Sequence, residues 1–476
     1  MAELEAVIGL EIHAQISTKT KMFCRCDNDS FDKSPNINTC PVCMGFPGML
    51  PVLNEDALVK GLKAALALDC KVKEFSKFDR KNYFYPDSPK GFQISQFDQP
   101  ISENGFIEVD VNGKKKKVRI TRLHLEDDAG KLTHVKGGTL VDFNRAGTPL
   151  MEIVSEPDMH STEEAGAYAR EVQKILRYVG SSEADMEKGM MRFDASVSIR
   201  EKGSKKLNAR SEIKNLNSFR SLENAIATEI DRQTSFWEDG VIQEKDLTVG
   251  WNDDKQEIYV MREKEDSSDY RYFPEPDIPP VIISKKEIER LKAELPELPT
   301  DKAKRFGKEY GLNNDDVRIL TADKALADYY EEVVKVCGDA KLAVSFVLTI
   351  LMKHLKEELI SVSDQKVTAQ MMGNLLKMVI DSVVSNNAAK GEVFEEMYKS
   401  GKDPAKIVKA KGLEQISDTV EIEKVCKKVV DANPDTVEDF KKGKDRAIGS
   451  LIGQVMKEMK GKANPKVVDE LVRKML

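Results

Sequence analysis

Glu11 and His13 stand two residues apart in VIGLEIHAQI (7–16), a run that alternates with period two. Alternate residues of a strand share a face. Ile8, Leu10, Ile12, Ala14 and Ile16 therefore form an apolar face, and Glu11, His13 and Gln15 point the other way. A carboxylate beside an imidazole suits a divalent cation; the competing reading is an exposed strand with two ordinary polar residues. The same arithmetic recurs. ITRLHLED puts Arg122, His124 and Glu126 on one face, TPLMEIVSEP sets Glu152 between Met151 and Ile153, MRFDASVSIR turns Arg192 and Asp194 outward, and RSEIKNLN offers Arg210, Glu212 and Lys214 at period two. An antiparallel sheet bearing carboxylates, His and Arg on one face fits metal-assisted nucleotide chemistry, in which acids hold the metal and cations neutralise developing charge. A sheet wetted on one face accounts for the same pattern. No phosphate-binding loop of the G-x-x-x-x-G-K type occurs, since Leu125 stands where Gly130-Lys131 would need the earlier glycine.

A second group is Cys24-Arg25-Cys26 followed, after thirteen residues, by Cys40-Pro41-Val42-Cys43. Four thiolates in two close pairs suit tetrahedral Zn²⁺ in a closed structural site. Cys70, Cys337 and Cys426 read as buried singles. Two further stretches, 78–100 and 262–280, interleave Arg and Lys with Tyr and Phe. Such loops stack on bases and pair with phosphates, or else pack their rings against the domain.

The elements that position these residues follow from periodicity. Residues 106–127 read as a hairpin turning at Asn112-Gly113, and 161–180 as a helix with a Ser/Thr start, early acids and a terminal Gly. Six prolines between 274 and 299 mark the exit from a first domain. Beyond them helical periodicity dominates, at 326–336, 341–359 and 371–384, and the last segment offers three short helices, the final one starting at Asn464-Pro465. The expected fold class is α+β: an N-terminal antiparallel-sheet domain at 1–292, an all-α helical domain at 293–405 and a small helical tail domain at 406–476.

With 476 residues, 33% of them charged and a formal net charge of -7, the chain is not a globally basic nucleic-acid binder. Over 440–476, however, ten Lys/Arg face four Asp/Glu, a local surplus that docks on phosphate backbone or merely solvates a helix face. Acids precede the first apolar stretch, so the start does not read as a signal peptide. The longest apolar run, Leu342 to Met352, is far short of the roughly 20 residues a bilayer needs. These features point to a cytoplasmic protein without membrane spans.

Taken together, VIGLEIHAQ, GFPGMLPVLN, KFDRKNYFYPDSPKGFQISQFDQP, RLHLEDDAGK, VDFNRAGTPLMEIVSEPD, EIKNLNSFRSLENAI, DYRYFPEPDIPP and GKANPKVVDELV resemble, in order and over nearly the whole chain, the B-subunit family of the tRNA-dependent amidotransferases. The resemblance implies a carbon-nitrogen ligase. ATP would phosphorylate the side-chain carboxylate of mischarged Glu-tRNA(Gln) or Asp-tRNA(Asn), and ammonia from a partner amidase would displace the phosphate. It implies a glutamine-synthetase-like cradle, a heterotrimer with an amidase subunit (GatA) and a small subunit (GatC), and a tail that grips tRNA. By carry-over, Glu11, His13, Glu126 and Glu152 form the Mg²⁺ and phosphoryl centre. Arg192 and Asp194 join it, Lys81 and Tyr83 contact ATP or the tRNA end, and Cys24, Cys26, Cys40 and Cys43 hold structural Zn²⁺.

Overall fold

The structure, a computed structural model, describes residues 3–241, 243–263, 270–415, 419–441, 446–459 and 463–476. It is an α+β molecule that divides into two compact units, the first ending at Pro299 and the second beginning at Thr300.

The first unit is built on a nine-stranded sheet. Its strands are β1 (Leu4–Gln15), β2 (Lys71–Val72), β3 (Ser102–Val111), β4 (Lys114–Asp127), β5 (Pro149–Ser155), β6 (Met191–Glu201), β7 (Ser211–Leu216), β8 (Leu247–Asn252) and β9 (Glu257–Glu263). Across the sheet they run β9-β8-β7-β6-β1-β5-β4-β3-β2, antiparallel throughout except for the parallel β7–β8 pair. The first strand in sequence is thus the middle strand in space. The β3–β4 hairpin turns at Asn112 and Gly113, both at positive φ (54° and 80°). That is the geometry a two-residue turn needs to match strand twist, and Asn-Gly supplies it at little strain.

Ile8, Leu10, Ile12 and Ala14 are buried in one apolar cluster. They share it with the inner faces of α1 (Glu55–Ala67), α2 (Thr162–Tyr178) and α3 (Phe219–Glu238), which contribute Leu62, Val172, Leu176, Leu222 and Ile226 among others. Each helix starts on a side-chain cap, at Asn54, Ser161 and Ser218. The helices occupy the apolar face of β1, so Glu11 and His13 project from the opposite side.

The second unit is helical. One buried cluster runs from Phe306 to Val408 and includes Ile407 and Val408 of the helix Pro404–Lys411. Another runs from Ile422 to Val472. Helix Ala369–Ile380 stops four residues before the expected end, because Ser382 adopts positive φ (58°) and the chain turns. After residue 412 the described residues carry four helices rather than three: Thr419–Ala432, Pro434–Lys441, Arg446–Glu458 and Pro465–Met475. A proline at the first helical position lacks only a donor that would be unpaired anyway, so Pro434 starts a new helix directly after Asn433. Among the described residues no helix is long and apolar enough to cross a membrane.

A close approach holds the sheet to α1. A Cβ on Gly105 of β3 would lie 2.3 Å from Cys70 Sγ and 2.7 Å from the Leu68 carbonyl just beyond the helix. Gly105→Ala is therefore expected to destabilise the protein by about 1–3 kcal/mol, read as a lowered midpoint in thermal or urea unfolding; an unchanged midpoint would show that this contact relaxes freely.

Candidate active site

Strand register assembles the polar face. His13 lies opposite Glu152 on β5 and Arg192 on β6, and Glu152 lies opposite His124 on β4. One row across four strands thus reads Arg192, His13, Glu152, His124. The next reads Asp194, Glu11, Val154, Arg122. Glu126 sits one step the other way, opposite Leu150.

His13 Nε2 is 3.2 Å from Glu152 Oε2, and His124 Nε2 is 3.6 Å from both Glu126 Oε2 and Glu152 Oε2. His13, Glu126 and Glu152 bring one ligand atom each within 4.8 Å of one another. Glu11, Asp194 and Glu212 form a second such trio. Of the four residues expected at one centre, His13, Glu126 and Glu152 fall in the first trio and Glu11 in the second, beside Asp194 and Glu212. A two-residue step along a strand is about 7 Å, and it sets Glu11 opposite Asp194 where His13 is opposite Arg192. Lys214 Nζ donates to Asp194 Oδ2 at 2.8 Å and also pairs with Glu212.

The His124–Glu126 end of the face is covered rather than wet. A small sheet of Asp79–Asn82, Phe92–Ser95 and Phe273–Pro274 lies against it, leaving His124 3% and Glu126 2% exposed. Ser95 Oγ donates to Glu126 Oε2 at 3.0 Å. Asp127 ties the cover down, accepting from the Ile94 amide at 2.8 Å and pairing with Lys90. Arg80 grips Glu275 through two hydrogen bonds of 2.7 and 2.9 Å. Lys81 sits on the cover, its Nζ 5.0 Å from the Tyr270 ring centre. Tyr83 is stacked on Tyr85 at 5.7 Å, and with Phe84, Tyr85 and Phe97 it forms an exposed aromatic rim. Phe97 stacks on Tyr272 at 4.4 Å. Of the aromatic-basic stretch 262–280, residues 264–269 lie outside the described residues.

Burial and crowding set the protonation tendencies. Burial, then the neighbouring Glu152, raises the Glu11 carboxyl above the usual range. Burial also opposes ionisation of Glu152, but His124 and His13 outweigh it and hold Glu152 well below that range. Glu126 behaves likewise, lowered by His124 and Lys81 against burial. Burial works against the Lys81 ammonium, and the fields of Glu126, Tyr272 and Glu152 prevail and raise it. The Nδ1 atoms of His13 and His124 are buried without hydrogen-bond partners.

One residue of the face escaped the pattern reading. Asp128, 4% exposed, accepts from both terminal nitrogens of Arg192 at 3.3 Å and lies 3.5 Å from Arg145 Nε. Burial raises its carboxyl, and Arg145 and Arg192 overcome that and lower it to about 2. The partners are 64 residues apart in sequence, so only the register could reveal the pairing. His124 and Glu212 had a signal, since both fall on the polar face by period two, and the structure gives each a place in a cluster.

The four cysteines do meet. Cys24, Cys26, Cys40 and Cys43 bring their sulfurs within 4.8 Å of one another. Lys21, fully buried, donates to the Asn38 carbonyl at 2.6 Å and lies 3.9 Å from Cys43 Sγ. A shared hydrogen bond with Cys24 lowers the Cys43 thiol to about 5. Cys70, Cys337 and Cys426 are buried singles.

Comparison with known proteins matches the chain to two family models, the GatB/GatE catalytic domain over residues 6–289 and the GatB domain over residues 328–476. The B subunit of the aspartyl/glutamyl-tRNA(Asn/Gln) amidotransferase of Carboxydothermus hydrogenoformans is 47% identical over 483 residues, spanning 100% of this chain and 99% of the relative. The protein of the same name from Thermotoga sp. is 48% identical, over 99% and 98%. That from Brevibacillus brevis is 46% identical, over 100% and 99%.

The Asp128–Arg192 pair generates a stability prediction. The carboxyl sits at about 2 when folded, below an ordinary aspartate near 3.9. Its contribution is complete above the unfolded value and is lost as pH falls through the folded one. Asp128→Asn takes its carboxylate partner from the partly buried Arg192 and is expected to cost about 2–3 kcal/mol at neutral pH. In urea unfolding the deficit should stay constant between about pH 5 and 8 and shrink below about pH 4; a deficit independent of pH throughout would refute the ion pair.

Proposed function

The chain belongs to the B-subunit family of the aspartyl/glutamyl-tRNA(Asn/Gln) amidotransferases, and from that premise we propose that the covered acidic face is its phosphoryl-transfer centre. The proposed reaction is that of a glutamine-hydrolysing ligase. ATP phosphorylates the side-chain carboxylate of Glu-tRNA(Gln) or Asp-tRNA(Asn), and ammonia from a partner amidase replaces the phosphate to give the amide. GatA and GatC are the proposed partners, in a heterotrimer working in the cytoplasm. The carrying observation is the pair of ligand trios that strand register gathers on one polar sheet face.

The donor sets fit Mg²⁺. Carboxylate oxygens dominate both trios, and burial together with the charge of Glu152 raises Glu11, both of which a bound cation would offset. His13, Glu126 and Glu152 would hold one ion, and Glu11, Asp194 and Glu212 another. When bound, Mg²⁺ would supply positive charge that neutralises the phosphates. His124 steadies Glu126 and Glu152 from the side, and Asp128 holds Arg192 facing the row. Lys81 contributes positive charge above Glu126 and Glu152. The small sheet excludes water, which would otherwise compete with ammonia for the acyl phosphate. Tyr83 and the exposed rings beside it offer the stacking surface that a terminal nucleotide takes.

The remaining assignments rest on the family and on local chemistry. The cradle is read as glutamine-synthetase-like, and the segments 1–292, 293–405 and 406–476 as catalytic, helical and tRNA-gripping. Of the basic tail, residues 442–445 and 460–462 lie outside the described residues. The four-sulfur cluster suits structural Zn²⁺, and Lys21 beside Cys43 offsets part of the negative charge that four thiolates would bring.

ADP release by the chain co-purified with its partners tests the centre. In Mg²⁺, stimulation by Glu-tRNA(Gln) or Asp-tRNA(Asn) but not by the uncharged tRNAs is expected, and it identifies the substrate. Glu126→Ala or Glu11→Ala should abolish that stimulation while tRNA binding persists. Full activity of both variants would sink the assignment and leave a tRNA-binding scaffold whose chemistry resides in partners. Metal analysis of the purified protein should find zinc near one equivalent, lost in Cys43→Ser; an equal zinc content in the variant would refute the site.

A further inference from the structure

Most cations of the acidic face are already matched. Lys214 pairs with Asp194 and Glu212, and Arg192 with Asp128. Arg122 is different. It projects onto the same face from β4, in the row that continues through Val154 to Glu11 and Asp194. Its cross-strand acid, Glu103, is opposite it on β3 but is taken by Lys73 at 2.8 Å. Among the described residues no carboxylate pairs with Arg122, and its Nε is buried without a hydrogen-bond partner. A buried guanidinium donor left unpaired is expensive unless something outside the chain completes it. An anion with phosphate-type oxygens has the acceptors to complete it.

The geometry points to Arg122 as a further catalytic residue that binds an oxygen of the phosphoryl group in transit. The inference rests on reading this face as the phosphoryl-transfer centre. In that step a carboxylate oxygen of the aminoacyl side chain forms a bond to the terminal phosphorus of ATP. The bond from that phosphorus to the bridging oxygen breaks, and its electron pair leaves with ADP. No proton need move, and the total charge is unchanged, but negative charge accumulates on the atoms between the two partners. A planar guanidinium with free donors pairs with phosphoryl oxygens in two-pronged fashion, and it acts most strongly where that charge develops. Glu11, the member of its trio nearest to Arg122, lies two strands away across β5, roughly 10 Å between backbones. The gap is wide enough for a metal-bound phosphate to sit between the trio and the guanidinium.

The test uses the complex with its partners, comparing Arg122→Gln, Arg122→Lys and Glu126→Ala. The readouts are kcat for ADP release stimulated by mischarged tRNA, KM for ATP, KM for the aminoacyl-tRNA, affinity for the non-hydrolysable nucleotide AMP-PNP, and the melting temperature. Expected for Arg122→Gln is a fall in kcat of roughly 100-fold or more. Both KM values, AMP-PNP affinity and melting temperature should stay close to those of the parent, and Arg122→Lys should recover part of the rate. Unchanged kcat in Arg122→Gln beside an inactive Glu126→Ala overturns the assignment of Arg122 while leaving the centre intact. An active Glu126→Ala overturns the centre itself and the inference with it. An effect confined to KM for aminoacyl-tRNA means that Arg122 pairs with the substrate carboxylate instead. A lowered melting temperature with no advantage of Lys over Gln makes it a structural cation, and either result refutes the proposal.

Discussion

Antiparallel pairing on both sides of β1 is the constraint from which the rest of the site follows. Because side chains alternate with period two, a slip of one residue would turn every acid of a strand into the core and every core residue outward. The apolar side of β1, with Ile8, Leu10, Ile12 and Ala14 packed in one cluster with helices α1, α2 and α3, forbids that slip. Core packing on one face therefore fixes the chemistry of the other. His13 meets Glu152 and Arg192 because Ile12 must meet Ile153 and Phe193.

Concentrating carboxylates in so small a space works against folding. Buried charges demand partners, and the structure supplies them in graded fashion: Lys214 for Asp194 and Glu212, imidazoles for Glu126 and Glu152, Arg192 and Arg145 for Asp128. The balance is left incomplete. Glu11 is held partly against ionisation by its neighbours, the condition of a site shaped for guests that bring charge of their own. Such local strain in charge is what distinguishes this face from an ordinary solvated sheet.

Much of this was legible in the sequence, because strand period is a local property. The faces carrying Glu11, His13, His124, Glu126, Glu152, Asp194 and Glu212 follow from counting residues, as does the Asn112-Gly113 turn, and the pairing of the cysteines follows from spacing. What sequence periodicity could not deliver is everything that depends on which strands are neighbours. The division of Glu11 from His13, the Asp128–Arg192 contact and the burial of the face under a second sheet all arise from pairings between segments distant in the chain. The tail carries one helix more than periodicity suggests because Pro434, at a first helical position, starts a new helix directly after Asn433.

The cover over the carboxylates has a consequence for how the molecule is made. Its strands Asp79–Asn82 and Phe92–Ser95 are close in sequence, but the third, Phe273–Pro274, comes from far down the chain, and the Arg80–Glu275 clasp spans 195 residues. Contacts of such separation form late, after the entropy of closing a long loop has been met. On the ribosome they must wait until the chain has passed that point. The acidic floor, whose rows need nothing beyond Glu212, can thus be assembled while the third strand of its roof is still unsynthesised. The last edge of the roof would then shut over carboxylate rows already in register.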